Sequence, residues 1–159
     1  MSYRAEEYWT DRLGRDCSLR GVGHASYSER YNAWVYRTKG RVLDELLSGV
    51  PFADALDIGS GTGWVTEQLA RRGAAVTGVD VAAPAVEHLR RRFPELTFVR
   101  LTVGDEPLPF PDASFDVVTM MDVAYHITDD ARWANALGEI ARVVRPGGRV
   151  VATDAFGAA

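Results

Sequence analysis

The chain has 159 residues, 47% of them hydrophobic and 25% charged, with a formal net charge of -4. This is the profile of one soluble globular domain large enough to bury a core. It offers no global attraction to nucleic acid or to an anionic membrane.

No apolar run approaches the roughly 20 residues that span a bilayer, and the opening "MSYRAEEYWTDRLGRD" is too charged for a signal peptide. Cys17 is the single cysteine. It excludes an intramolecular disulfide and any multi-cysteine metal site, so no metal and a cytoplasmic setting are expected.

In chain order, residues 1–50 read as a helical extension and residues 51–159 as an α/β core, together one compact domain. Within the extension, residues 28–48 carry Tyr31, Trp34, Val35, Val42, Leu43, Leu46 and Leu47 near helical spacing, with Gly49 and Pro51 as stop signals. Five short apolar strands follow: "ADALDI", "AAVTGVD", "LTFVRL", "FDVVTMM" and "GRVVATDAF". Helical patterns over 63–72, 84–92 and 129–144 separate most of them. Arg71-Arg72 and Arg90-Arg91-Arg92 fall at helix ends, where cations suit the C-terminal dipole, a simpler reading than a nucleic-acid patch. Alternating strand and helix predicts a doubly wound, Rossmann-like parallel sheet covered on both faces. Ligands of such sheets bind beyond the carboxyl ends of the strands, here near residues 59, 80, 102 and 122.

The first strand runs into Asp57-Ile58-Gly59-Ser60-Gly61-Thr62-Gly63. Glycines there allow a tight turn and remove Cβ atoms that would keep a ligand off the backbone. A dinucleotide loop wants G-x-G-x-x-G, and Trp64 stands where its third glycine belongs. Asp57 is also foreign to a loop that cradles a pyrophosphate; it suits a ligand with hydroxyls or an ammonium group. The second strand ends at Asp80, 17 residues after Gly63. A carboxylate at that tip can accept both ribose hydroxyls of a nucleoside; taken alone, it could equally be a turn or cap residue.

Together these segments resemble the class I S-adenosylmethionine-dependent methyltransferases, in the small-molecule branch that includes ubiquinone-biosynthesis-type enzymes. "LDIGSGTG" looks like the first motif and "VTGVDVA" like the second. "PLPFPDASFDVVTMMDVAYHI" is similar to the approach to the fourth strand, and "EIARVVRPGGRVVATD" to the helix, turn and fifth strand. The resemblance implies S-adenosylmethionine as cofactor and a small-molecule methyl acceptor. It implies that Gly59, Ser60 and Gly61, in the turn completed by Thr62 and Gly63, line the methionine part. Asp57 would orient the amino group directly or through water, Asp80 would hold the ribose and Val81 would pack on adenine. Thr102, beside Val103, stands where the family usually has an adenine-binding aspartate; the nearest acid is Asp105. Asp122 closes the same rim. His126 and Tyr125 are the candidates for a general base, unless the pair only packs its loop.

The segment "RGVGHASYSERYNAW" is read as part of a lid, with His24, Tyr27 and Tyr31 near the acceptor or, more simply, as core aromatics. Trp64 and Trp133 read as packing residues. The family fold carries two further strands, whereas this sequence stops at "VVATDAFGAA". A fold truncated after the fifth strand is therefore expected, leaving Val150, Val151 and Ala152 on an apolar edge open to self-association. Two alternatives to methyl transfer stand beside it. One is a non-catalytic module that holds the cofactor or a partner; the other is a nicotinamide-binding fragment, disfavoured by Trp64 and Asp57.

Overall fold

The computed structural model describes residues 4–24 and 26–153. Helices α1 (Ala5–Arg15), α2 (Leu19–Val22) and α3 (Glu29–Leu46) precede the first strand. Then come β1 (Asp54–Ile58), α4 (Trp64–Ala70), β2 (Ala75–Asp80), α5 (Ala83–Arg92) and β3 (Thr97–Arg100). β4 (Phe115–Met120), a 3-10 turn (Ala124–His126), α6 (Asp130–Val143) and β5 (Val144–Ala152) complete it. Ser28 caps α3, its Oγ accepting from the Tyr31 N–H at 3.2 Å, and Asp129 caps α6 through the Arg132 N–H at 2.9 Å. Pro84 opens α5, where its missing N–H costs nothing.

The strands form one sheet in the order β3-β2-β1-β4-β5, and every pair is parallel. The doubly wound expectation is met. Strand alternation divides the core. Leu56, Ile58, Val118 and Met120 face Ile140 and Val143 of α6. Ala55, Val76, Val117 and Val151 face Leu43 and Leu47 beside Leu69 of α4. The central strands β1 and β4 are buried on both faces, which accounts for their near-continuous apolar runs.

β5 departs from expectation in two ways. It begins at Val144, four residues before the predicted start at Gly148. Its register against β4 jumps between Phe115↔Val144 and Val117↔Arg149, so Pro146, Gly147 and Gly148 fall in an irregular stretch. Val151, expected on the open edge, is 5% exposed and belongs to the core, whereas Val150 is 45% exposed. Among the described residues β5 has a neighbour on one side only. The predicted strand residues Asp154, Ala155 and Phe156 lie outside the described residues.

Candidate functional site

β1 ends at Ile58 and the chain turns at once toward α4. The Gly59 and Ser60 N–H groups both donate to the Val79 carbonyl, at 2.8 and 3.1 Å, and the Gly63 N–H donates to the Ser60 carbonyl at 2.7 Å. The turn is thereby stitched to β2. Gly59, Gly61 and Gly63 have φ of 72°, 51° and 81°, the region L side chains avoid. A Cβ at 59 would sit 2.1 Å from Val123 Cγ2, and one at 61 would sit 3.1 Å from Val22 Cγ1. At 63 it would sit 2.6 Å from Leu89 Cδ2. The glycines thus serve the protein's own packing as well as baring a cavity wall.

Asp80 faces that wall. Its Oδ2 accepts from the Gly61 N–H and its Oδ1 from the Ala82 N–H, both at 2.8 Å. Burial pushes its carboxyl up, and the N–H groups of Ala82, Gly61 and Val81 partly offset this. Two of a carboxylate's roughly four lone-pair sites are used, which leaves acceptor capacity for a ligand.

Asp57 is placed differently. Its Oδ2 accepts from the Thr66 hydroxyl of α4 at 2.6 Å and its Oδ1 from the Thr119 hydroxyl of β4 at 2.9 Å. It is buried and lies outside the cavity lining. Burial raises its pKa to about 6 against the pull of the two hydroxyls. A raised carboxylate pKa gives stability that is complete below its unfolded value near 3.8 and lost as pH rises through 6. Acidification from pH 7 to 4 should therefore stabilise the fold by up to about 3 kcal/mol through this group. Asp57→Asn should flatten that rise in melting experiments. Asp116 acts oppositely and lower, because the Asp54 N–H, Arg145 and the Ala53 N–H hold its carboxyl down to about 2. Its contribution is lost only as pH falls from 4 toward 2.

The cavity opens at the carboxyl ends of β1, β2 and β4, where β4 joins the far side of β1, the topological switch point. One end is lined by Gly59, Ser60, Gly61, Thr62, Asp80, Val81, Thr102 and Val103. On the β4 side lie Asp122 and Lys39, which pair, and Tyr36 beside them; Trp9, His126 and Arg132 also line the cavity. Gly63 packs behind the turn and Tyr125 points elsewhere, 43% exposed. Asp105 pairs with Arg132 at 2.7 Å and is not part of the lining, whereas Thr102 is. The Thr62 hydroxyl is buried with no hydrogen-bond partner among the described residues.

The extension closes this cavity with other residues than those expected. Val22 sits over Gly61, and Trp9 meets the His126 ring edge-on at 5.1 Å. Arg12 holds the segment together by donating to the Gly21 and Gly23 carbonyls, each at 2.5 Å. His24, Tyr27 and Tyr31 form an aromatic cluster outside the lining, with Tyr27 and Tyr31 stacked 4.4 Å apart and both exposed. The reason is helical phase: Asn32, Tyr36 and Leu43 take the inner face of α3. Trp64 meets the buried Tyr36 edge-on at 5.1 Å, and Trp133 packs on the core.

Asp122 is a non-glycine residue at φ 61°. Its N–H donates to Thr153 Oγ1 at 2.7 Å, and the same hydroxyl donates to Asp122 Oδ1 at 3.1 Å. Lys39 Nζ pairs with its Oδ2 and lies 5.2 Å from the Tyr36 ring centroid. Sequence reasoning passed over Lys39, although a signal existed: it is the chain's one lysine beside 17 arginines. His126 is half-buried, and burial holds its imidazole below the usual 6.5, so it stays neutral near pH 7.

A parallel sheet with a glycine turn on β1 and a carboxylate at the tip of β2 is shared by class I methyltransferases and dinucleotide-binding domains. Residues 56–152 match the family described as "Methyltransferase domain", and the chain belongs to that family. Demethylmenaquinone methyltransferase of Tropheryma whipplei (strain Twist) is 41% identical over 117 residues, 72% of this chain and 46% of that protein. Ubiquinone biosynthesis O-methyltransferase of Aeromonas salmonicida is 40% identical over 99 residues, 60% of this chain and 40% of its own length. The chain spans less than half the length of these relatives. Among solved structures, N-methyltransferase NodS from Bradyrhizobium japonicum, in complex with S-adenosyl-L-homocysteine, superposes with a TM-score of 0.72. It is 19% identical, covering 92% of this chain and 71% of that one, a likeness of fold.

Proposed function

We propose that this chain binds S-adenosylmethionine in the cavity and transfers its methyl group to a small-molecule acceptor. The observation that carries the reading is the Asp80 carboxylate, braced by the Gly61 and Ala82 N–H groups at the switch point of a methyltransferase fold. The residues fit such a cofactor. Thr62 supplies a buried hydroxyl with no partner among the described residues, Gly59 to Gly61 supply bare backbone, and Val81 and Val103 supply apolar walls. When bound, the cofactor supplies a methyl group already activated on a sulfonium.

The protein's work is then binding and orientation. Asp80 accepts the ribose hydroxyls, Thr102 accepts at the adenine edge, and the turn from Gly59 to Thr62 carries the methionine part. Asp57 acts from behind, fixing α4 and β4 to β1 through Thr66 and Thr119 rather than touching the ligand. Positioning is the main source of rate, since well-oriented pairs reach effective molarities on the order of 10⁵–10⁸ M. His126, neutral and on the lining, is placed to take a proton from the acceptor; Tyr125 is not.

Calorimetric titration tests the reading. Saturable binding of S-adenosylmethionine and S-adenosylhomocysteine is expected, with none for NAD. Binding of NAD alone would replace it with the nicotinamide reading.

The open side of β5 is expected to pair with a second copy at high concentration, since unpaired ladder groups beside exposed Val150 favour strand addition. Val150→Lys should reduce concentration-dependent light scattering, whereas Val151→Lys would instead put a charge in the core. A monomer across the whole dilution series would discard the pairing.

A further inference from the structure

Lys39 stands out on three counts. It is the chain's one lysine, it lines the cavity at the end away from Asp80, and its side chain is 27% exposed. The chain makes ion pairs such as Arg72–Asp44, Arg100–Glu6 and Arg142–Glu139 with arginine. An arginine would fasten α3 to Asp122 at least as well, because its planar fork binds carboxylates bidentately. What lysine offers instead is a compact ammonium with three donors. One donor goes to Asp122 Oδ2, and the other two have no hydrogen-bond partner among the described residues. The Tyr36 ring face and the Asp122 carboxylate, itself tied to Thr153, fix the ammonium in place. Tyr36 provides an aromatic wall beside it, and Trp9 lines the same cavity.

We propose that Lys39 is a specificity-determining residue of the acceptor site, whose ammonium takes an anionic oxygen of an aromatic or similarly flat acceptor, a carboxylate or phenolate. The inference rests on the methyl-transfer reading. A cationic acceptor would find the Asp122 carboxylate already engaged by Lys39, and the ammonium has donors but no acceptor to offer it. A neutral acceptor would leave both unused donors without a charged partner.

The test starts from the complex with S-adenosylhomocysteine, whose own binding is measured first. Benzoate, benzamide and benzylamine, alike in shape and different in charge, are then titrated and followed by ligand-observed NMR. Benzoate should bind about tenfold or more tighter than benzamide, and benzylamine weakest. Lys39→Met should erase that ranking while S-adenosylhomocysteine still binds. A second measurement needs no variant. Because position 39 holds the one side-chain amine, acetylation by succinimidyl acetate, mapped by mass spectrometry, reads its accessibility directly. Benzoate should slow acetylation at Lys39 in the complex, and benzamide should not. Equal binding of benzoate and benzamide, benzylamine ranking first, or a ranking that survives Lys39→Met would each overturn the assignment. Absence of S-adenosylhomocysteine binding would instead overturn the methyl-transfer reading, and this inference with it.

Discussion

Asp80→Ala is expected to weaken S-adenosylhomocysteine binding by about tenfold to a hundredfold, because a hydrogen bond to a charged group is worth roughly 1.5–3 kcal/mol. The same carboxylate accepts the Gly61 and Ala82 N–H groups. Its removal leaves two buried donors without their partner, so the melting temperature should fall as well, by the equivalent of about 1–3 kcal/mol. Asp80→Asn separates the two effects, since the amide oxygen can keep one of those bonds while the charge is lost. Calorimetry and thermal melting on the three proteins decide the matter. Unchanged affinity in the alanine variant would remove Asp80 from the binding site and leave it a brace.

Gly61→Val should reduce binding further, by about a hundredfold or more, while the circular dichroism of the fold persists. Residue 61 has φ 51°, where a β-branched residue is strained by roughly 1–2 kcal/mol. Its Cβ would press on Val22 at 3.1 Å, a contact the four-residue α2 can relieve by shifting. The methyl groups would then stand on the cavity wall. Gly63→Val is the control with the opposite signature. Its Cβ meets Leu89 and Phe93 within 2.7 Å, so the fold should weaken without any new group entering the cavity. Normal binding by Gly61→Val would show that the ligand does not run along the turn.

The sheet was legible because the strands are short apolar runs, β1 and β2 closed by Gly59 and Asp80, with helical spacing between most of them. The rim followed from topology, and Gly59, Asp80, Thr102, Asp122 and His126 all reach it. What stayed hidden depends on partners far apart in the chain. Asp57 is held by Thr66 and Thr119, 9 and 62 positions away, and lies behind the cavity lining, a placement that local sequence does not reveal. That β5 is an edge strand did not tell which of Val150 and Val151 turns its side chain to the core; pairing with β4 fixes the alternation, and Val151 turns inward. Local patterning also does not tell which aromatics of α3 turn inward. Tyr36 does, whereas Tyr27, just before the helix, and Tyr31 remain outside.

The two ends of the cavity differ in how much of the chain must be ordered to make them. The Gly61–Asp80 bond closes over 19 positions, within one strand-helix-strand unit, whereas the Lys39–Asp122 pair closes over 83. Longer closure carries the larger entropic cost, and partial opening releases such contacts first. Undocking α3 would dismantle the Lys39 end while leaving the β1–α4–β2 contacts around Asp80 intact. Native-state hydrogen exchange should then show α3 amides exchanging through a cheaper opening than those of β1 and β2. On the methyl-transfer reading, that partly open form would keep the pocket proposed for the nucleoside and lose the seat proposed for the methyl acceptor.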